Sequence, residues 1–227
     1  MREIVLDTET TGLDPESGDR LVEIACLELM DRIPTGRVWH YYVNPERDMP
    51  HSAFAVHGLS SVFLSEKAKF AELAQDFLDF IKDSKLVIHN AAFDIKFLNH
   101  ELARLDRPPL SFDHVIDTLT IAKRKHAGAQ NNLDALCRRY NIDNRKRTKH
   151  GALLDTELLA EVYLNLIDAH QAGLDFGRAA RSAAQAQVAA VYARVTVLAR
   201  RLTNEELEAH TAFVSGFKSP SVWDQYL

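Results

Sequence analysis

The chain has 227 residues, 46% of them hydrophobic and 26% charged, with a net charge of −5. That length fits one domain of roughly 150–200 residues plus an extension, and no stretch approaches the roughly 18 apolar residues a membrane span needs. The acidic balance excludes a protein that coats nucleic acid by bulk charge, and it leaves room for an enzyme that grips phosphates locally.

In chain order, EIVL within residues 2–7 is β-prone and reads as a first strand. RLVEIACLELM (20–30) alternates and reads as a second, and GRVWHYYV (36–43) as a third, closed by Asn44-Pro45. Short connections favour antiparallel pairing among these three. KFAELAQDFLDFIK (69–82) carries Phe70, Leu73, Ala74, Phe77, Leu78 and Ile81 at helical spacing. KLVIHN (85–90) is a short strand, and AAFDIKFLNHELARL (91–105) is a helix ended by Pro108-Pro109. A short strand at 113–116 and helices at 117–126, 132–140 and 152–169 follow. The order βββαβαβα predicts an α/β domain with a mixed sheet, ending near residue 170.

Beyond Gly177 the texture changes. Residues 178–202 are rich in Ala and Arg, with Val188, Val191, Val195, Leu198 and Leu202 along one helical stripe. Packing on its own domain and docking on a partner both account for such a stripe. Thr203 and Glu206 form a capping-box pattern that opens a last helix, NEELEAHTAF. The opening MREIVLD has no charged leader followed by a long apolar run. Cys26 and Cys137 form neither a disulfide framework nor a CxxC knuckle, so they read as buried thiols. A cytoplasmic location is the expectation.

IVLDTETTGLDP (4–15) places Asp7 and Glu9 two residues apart, on one face of a strand. Alone, such a pair is an ordinary solvated strand exit. VIHNAAFD adds His89 and Asn90 at a strand end and Asp94 in the first turn of the next helix, while KHGALLDTELLAEVY adds His150 ahead of a helix and Asp155 near its start. Either Asp has an innocent role near a helix N-terminus, where the dipole favours a carboxylate. Yet all four acids fall where an α/β sheet gathers its site. Four gathered carboxylates repel unless cations neutralise them, and oxygen ligands favour hard divalent ions, Mg²⁺ or Mn²⁺. A pair of such ions about 3.5–4 Å apart can hold both the attacking and the leaving oxygen of a phosphodiester displacement. Asp7 is the candidate bridging ligand, and His150 is the candidate general base, a role common for histidine side chains.

These segments resemble the three motifs of the DEDD exonuclease superfamily in its histidine branch: Asp-x-Glu, then Asp, then His-x₄-Asp, with Asp7, Glu9, Asp94, His150 and Asp155 filling every position. VHGL (56–59), LDALCRRYNIDNRKRTKHGALLDTELLAEVY (133–163) and NEELEAH (204–210) are in turn similar to the family of epsilon proofreading subunits of bacterial DNA polymerase III. The resemblance implies a ribonuclease H-like fold, a five-stranded mixed sheet flanked by helices, with a helical C-terminal extension. It implies hydrolysis of the last phosphodiester at a DNA 3′ end, releasing a nucleoside 5′-monophosphate. Asp7, Glu9, Asp94 and Asp155 would hold two divalent cations, with His150 as base. Asp7, Glu9, Asp155, Thr10, Thr11 and Leu13 would cradle the terminal nucleotide, Val56 and His57 would touch it or its neighbour, and Asn90 and Phe93 would line the strand's path. Phe93 has the plain alternative of core packing. Such a site needs an unpaired end, and a mismatched terminus frays more easily than a paired one.

The resemblance also implies three segments: an exonuclease domain (1–170), a linker (171–177) and a polymerase-binding tail (178–227) that includes Trp223 and Tyr226. Gln171, Leu174 and Phe176 resemble the Q-x-x-L-x-F peptide with which this family binds the β sliding clamp, and a helix end packing Leu174 and Phe176 on the domain is the plain alternative. The implied partners are a frayed or single-stranded DNA 3′ end, the polymerase (alpha) subunit, the clamp and a small theta-like subunit. The helical look of 178–202 departs from the family's Gln-rich flexible linker. The basic loop NRKRTKH (144–150) fits either a solvated face or contact with phosphates. An RNA-directed exonuclease of the same branch and an inactive nuclease fold serving as a scaffold are the competing expectations.

Overall fold

The structure, a computed structural model, describes residues 1–145, 147, 149–169 and 203–216. The chain falls into two compact units, Met1–Gly173 and Leu174–Leu227. Within the first, β1 (Arg2–Thr10), β2 (Leu21–Met30), β3 (Ile33–Tyr42), β4 (Lys85–Ile88) and β5 (Val115–Asp117) form one five-stranded sheet in the order β3-β2-β1-β4-β5. The first three strands pair antiparallel, and β1–β4 and β4–β5 pair parallel. The sheet is therefore mixed, as the sequence predicts, with β1 at its centre.

Helices cover both faces. Ile4, Leu6, Ile24 and Cys26 pack with residues of α3 (Phe70–Ile81) and α4 (Ala91–Ala103) in one fully buried cluster. Val5, Leu27, Leu29 and Val87 pack with Leu159, Ala160 and Tyr163 of α7 (Ala152–Leu166) in another. Alternation along β1 sends odd and even positions to opposite layers. Each large apolar side chain so buried contributes about 1.5–3 kcal/mol. A third cluster joins α5 (Thr118–Lys125) and α6 (Leu133–Tyr140) to α7 through Ala122, Leu136, Cys137, Leu158 and Val162. Both cysteines are free and buried.

Two short helices, α1 (His51–His57) and α2 (Ser61–Ser65), follow β3 in a stretch that carries no helical signal in the sequence. Seven and five residues are too few to show a 3.6-residue period over a window of about 11. The strand expected at 113–116 begins later, at Val115, because Phe112–His114 form a 3₁₀ turn. The helix expected to reach 169 ends at Leu166.

The second unit's described part is α8 (Asn204–Ser215), opened by the expected capping box: Glu206 N–H donates to Thr203 Oγ1, and Thr203 N–H to the Glu206 carboxylate. Gln171, Leu174 and Phe176, the stripe at 178–202, Trp223 and Tyr226 lie outside the described residues. No helix among the described residues is long and apolar enough to cross a membrane.

Candidate active site

The site begins with an overshoot. β1 pairs with β4 only from Glu3 to Val5, whereas its pairing with β2 continues to Thr10. Asp7 and Glu9 thus extend beyond the point where β4 gives way to α4. A register shift between Glu9 and Thr10 breaks the ladder there, and such a bulge bends a strand end. On one side α4 starts beside this end: Thr8 Oγ1 donates to Asp94 Oδ1 at 2.7 Å, with Asp94 97% buried by neighbours and only 3% exposed. On the other side the first turn of α7 brings in Asp155, also 3% exposed.

A cleft of about 710 Å³ opens over these groups. Asp7, Glu9, Thr10, Leu13, Val56, His57, Asn90, Phe93, His150 and Asp155 all line it. Asp94 sits beneath, and Thr11 is turned away: its hydroxyl donates to Asp19 Oδ1 and accepts from Arg20 N–H. Thr11 therefore steadies the loop that carries Leu13, which is 84% exposed at the rim. A Cβ at Gly12 would fall 2.2 Å from Asp19 Oδ2, so the loop's tight closure on Asp19 requires glycine. Phe93 both lines the cleft and packs on Phe97 at 5.0 Å between ring centroids. Asn90 adopts a left-handed conformation (φ 66°) at the junction of β4 and α4 and donates its N–H to Asp117 Oδ1.

Ligand atoms of Glu9, His150 and Asp155 lie within 4.8 Å of one another. Electrostatics tie in the other two acids. Burial, then the charges of Asp94, Glu9 and Asp155, hold the Asp7 carboxyl well above the ordinary range. Burial, then Asp155 and Glu23, push Glu9 up to about 8, and Arg147 opposes the shift. Burial also raises Asp94, against the pull of its Thr8 hydrogen bond. All four carboxylates therefore share one poorly solvated space. Their donors, carboxylate oxygens, suit hard divalent cations.

Three participants carry no motif in the sequence. Glu23, opposite Glu9 across β1–β2, accepts from His40 Nε2 at 2.7 Å and adds a fifth carboxylate to the field on Glu9. Asp134 and Arg147 line the cleft too. Arg147 donates to both oxygens of Asp155, to Asp134 Oδ2 at 2.9 Å and to His150 Nδ1 at 2.9 Å. Nothing distinguishes it within NRKRTKH until the loop is folded. Arg145, two residues earlier, pairs with Asp143 at the surface.

His150 sits on the loop before α7, its side chain half exposed and its Nδ1 3.5 Å from Asp155 Oδ2. Its N–H donates to Val56 O at 3.2 Å. Lys149 packs over Gly58, the left-handed cap of α1, and against Phe54. The loop is thereby seated on α1, which carries Val56 and His57 to the cleft. His57 is buried, and its Nδ1 accepts from Leu59 N–H at 3.0 Å.

Residues 4–163 match the family described as "Exonuclease" (RNase_T). A DNA polymerase III subunit epsilon from Rickettsia felis is 48% identical over 221 residues, covering 95% of this chain and 96% of the relative. That of Escherichia coli is 43% identical over 223 residues, covering 93% and 91%. Among solved structures, the nuclease domain of 3′hExo, a DEDDh family member bound to rAMP, superposes with a TM-score of 0.64 at 17% identity, over 74% of this chain and 92% of that one. Exonuclease X in complex with 5′ overhanging duplex DNA gives 0.56 at 23% identity, over 74% and 92%. These two likenesses are of fold: the five-stranded sheet and its helices have the ribonuclease H-like arrangement.

Proposed function

This chain belongs to the exonuclease family of DNA polymerase III epsilon subunits, and from that premise we propose that it removes mismatched 3′-terminal nucleotides as 5′-monophosphates by hydrolysis assisted by two divalent cations, Mg²⁺ or Mn²⁺. The observation that supports this reading most is the convergence of Asp7, Glu9 and Asp155 in one cleft with Asp94 beneath it, where Asp7, Glu9 and Asp94 are pushed up by burial and Asp7 and Glu9 further by neighbouring carboxylates. A protein gains nothing in stability from burying such a group of acids when, of the four, only Asp155 has an arginine partner, Arg147. Its use lies in receiving cations.

Asp7, Glu9, Asp94 and Asp155 are the residues that would hold the cations. Bound there, they would supply the positive charge that makes the phosphodiester open to attack. The protein's own residues do the rest. His150, half exposed at the mouth of the cleft, takes the proton from the attacking water. Exposed Leu13 and half-exposed Val56 offer apolar surface to the terminal nucleotide, and Phe93 offers a ring face to a base. Thr8 orients Asp94 from below, and Thr11 acts through the Asp19 loop. A site that must surround one unpaired nucleotide selects for frayed ends, so mismatches are favoured without any reading of base identity.

Residues 1–170 would be the exonuclease domain and 178–227 the polymerase-binding tail, with Gln171, Leu174 and Phe176 docking on the sliding clamp. The family's naming supports association with a polymerase III complex, and a cytoplasmic location is part of the same proposal. A primer with a mismatched 3′ end, compared with its paired counterpart in Mg²⁺, tests the activity. Asp7→Ala should lower the rate by about 10³-fold or more, since a metal centre contributes several kcal/mol to such chemistry. Retained activity in that variant would remove the assignment of the acids.

A further inference from the structure

Arg147 is the most constrained basic side chain of the cleft. Its side chain is 7% exposed, and that of Asp155 is 5% exposed. Nε faces Asp155 Oδ1, and one terminal nitrogen faces Oδ2 at 2.7 Å, which is the two-pronged pairing a guanidinium makes best with a carboxylate. The other terminal nitrogen is held by Asp134 Oδ2, in the first turn of α6. The nitrogen on Oδ2 also reaches His150 Nδ1. One side chain thus engages both oxygens of Asp155 and one ring nitrogen of His150, and both residues belong to the set whose ligand atoms converge with Glu9.

These contacts set a competition. A cation on Asp155 needs at least one of the two oxygens that Arg147 occupies, and a divalent ion and a guanidinium repel across a single carboxylate. We propose that Arg147 is the cleft's resident cation: it holds Asp155 and His150 in the metal-free protein, yields Asp155 to the incoming ion, and stays tethered through Asp134. The inference rests on the reading that Asp155 ligates a divalent cation. Arginine nitrogens only donate, so His150 Nδ1 must be the accepting nitrogen in this arrangement, with its proton on Nε2. Withdrawal of Arg147 therefore also releases that lone pair. Metal entry and exposure of the base become one event. Arg147 is on this account a positioning residue, acting through Asp155 and His150.

The test uses the full chain and Mn²⁺ alone, titrated by calorimetry, with thermal melts in chelator and in Mn²⁺. Arg147→Met removes the charge and keeps the length. Arg147→Lys keeps the charge but cannot span both carboxylates. With its competitor gone, Arg147→Met should bind Mn²⁺ about tenfold more tightly, since a charge-assisted hydrogen bond to Asp155 is worth at least a decade in binding. It should melt lower in chelator and gain more from Mn²⁺ than the parent. Arg147→Lys should fall between the two, and it carries the comparison if Arg147→Met does not fold. Equal or weaker Mn²⁺ binding in both variants would overturn the proposal, because that is what a loop brace alone would give. If the parent itself binds no Mn²⁺, the metal reading falls and this inference with it. A second measurement is independent of mutation: the ¹⁵N signal of Arg147 Nε–H should move on saturation with Mg²⁺, and an unmoved signal would overturn the displacement.

Discussion

Glu9→Gln isolates the electrostatic load that the fold carries on behalf of its site. Glu9 titrates at about 8 in the folded protein against an ordinary value of 4.5. The unfolded chain therefore releases this proton near 4.5, while the metal-free fold keeps it until about 8. Stability contributed by the protonated form is complete below the lower value, drains as pH rises between the two, and is gone above the higher. The full span corresponds to ~5 kcal/mol, and water reaching the cleft reduces what is expressed to ~2 kcal/mol. Glutamine keeps the shape and cannot ionise. In chelator, the variant should match the parent at pH 5 and exceed it at pH 8.5, by roughly 4–8 °C in melting temperature for a protein of this size. Mn²⁺ at pH 8.5 should reverse the order, since the parent gains a ligand that the variant lacks. Differential scanning calorimetry across the two pH values decides it. If parent and variant lose stability in parallel between pH 5 and 8.5, Glu9 bears no such load, and the crowding argument for the cations fails with it.

Two further substitutions probe the supports beneath the ligands. Thr8→Val deletes the hydroxyl that donates to Asp94 at 2.7 Å. With that pull gone the Asp94 carboxyl rises further, so the acidic limb of the pH–rate profile should move up by about half to one pH unit, as a hydrogen bond of ~1 kcal/mol implies. An unmoved limb would mean that Asp94 does not govern it. Gly12→Ala drives a methyl into Asp19, which also accepts from Thr11, Asp14 N–H and Arg47. Overpacking of this kind costs about 1–3 kcal/mol, and because Leu13 is the next residue, KM for a DNA 3′ end should rise while Mn²⁺ affinity holds.

The sequence carries the sheet because its strands are strongly apolar and its long helices show a clear period. LVEIACLELM reads as a strand although Glu23 and Glu28 are buried in it; both are paired, Glu23 with His40 and Glu28 with Arg2 and Arg37. The helices α1 and α2 are illegible because one or two turns cannot display a period. The acids of the site are legible for a different reason. Each lies at a junction between elements, where chain direction in an α/β fold forces convergence. Arg147 shares its composition with its neighbours in a basic run, and only the fold determines which side chain turns inward. Thr11 shows the converse: alternation from β1 would extrapolate its side chain toward the site, but β1 ends at Thr10 and the chain turns into the Asp19 loop.

The residues proposed as cation ligands and as base differ in how firmly the fold holds them, and the difference suits the proposed tasks. Asp7 and Glu9 belong to the central strand, so moving either means breaking the β1–β2 ladder and disturbing apolar cores on both faces. Asp94 and Asp155 are fixed by the first turns of α4 and α7, which are themselves packed on that sheet. His150 lies outside any element. Its backbone is held by one bond to Val56 O, and its ring by Arg147 and by proximity to Asp155. Shifting it costs about two exposed hydrogen bonds, each of order 1 kcal/mol, where shifting Asp7 would cost many. Cation ligands must keep their spacing to a fraction of an ångström through every turnover, whereas a base must approach the water, take its proton and clear the path for the next nucleotide. Rigidity at the strand and compliance at the loop are therefore what the proposed chemistry would require.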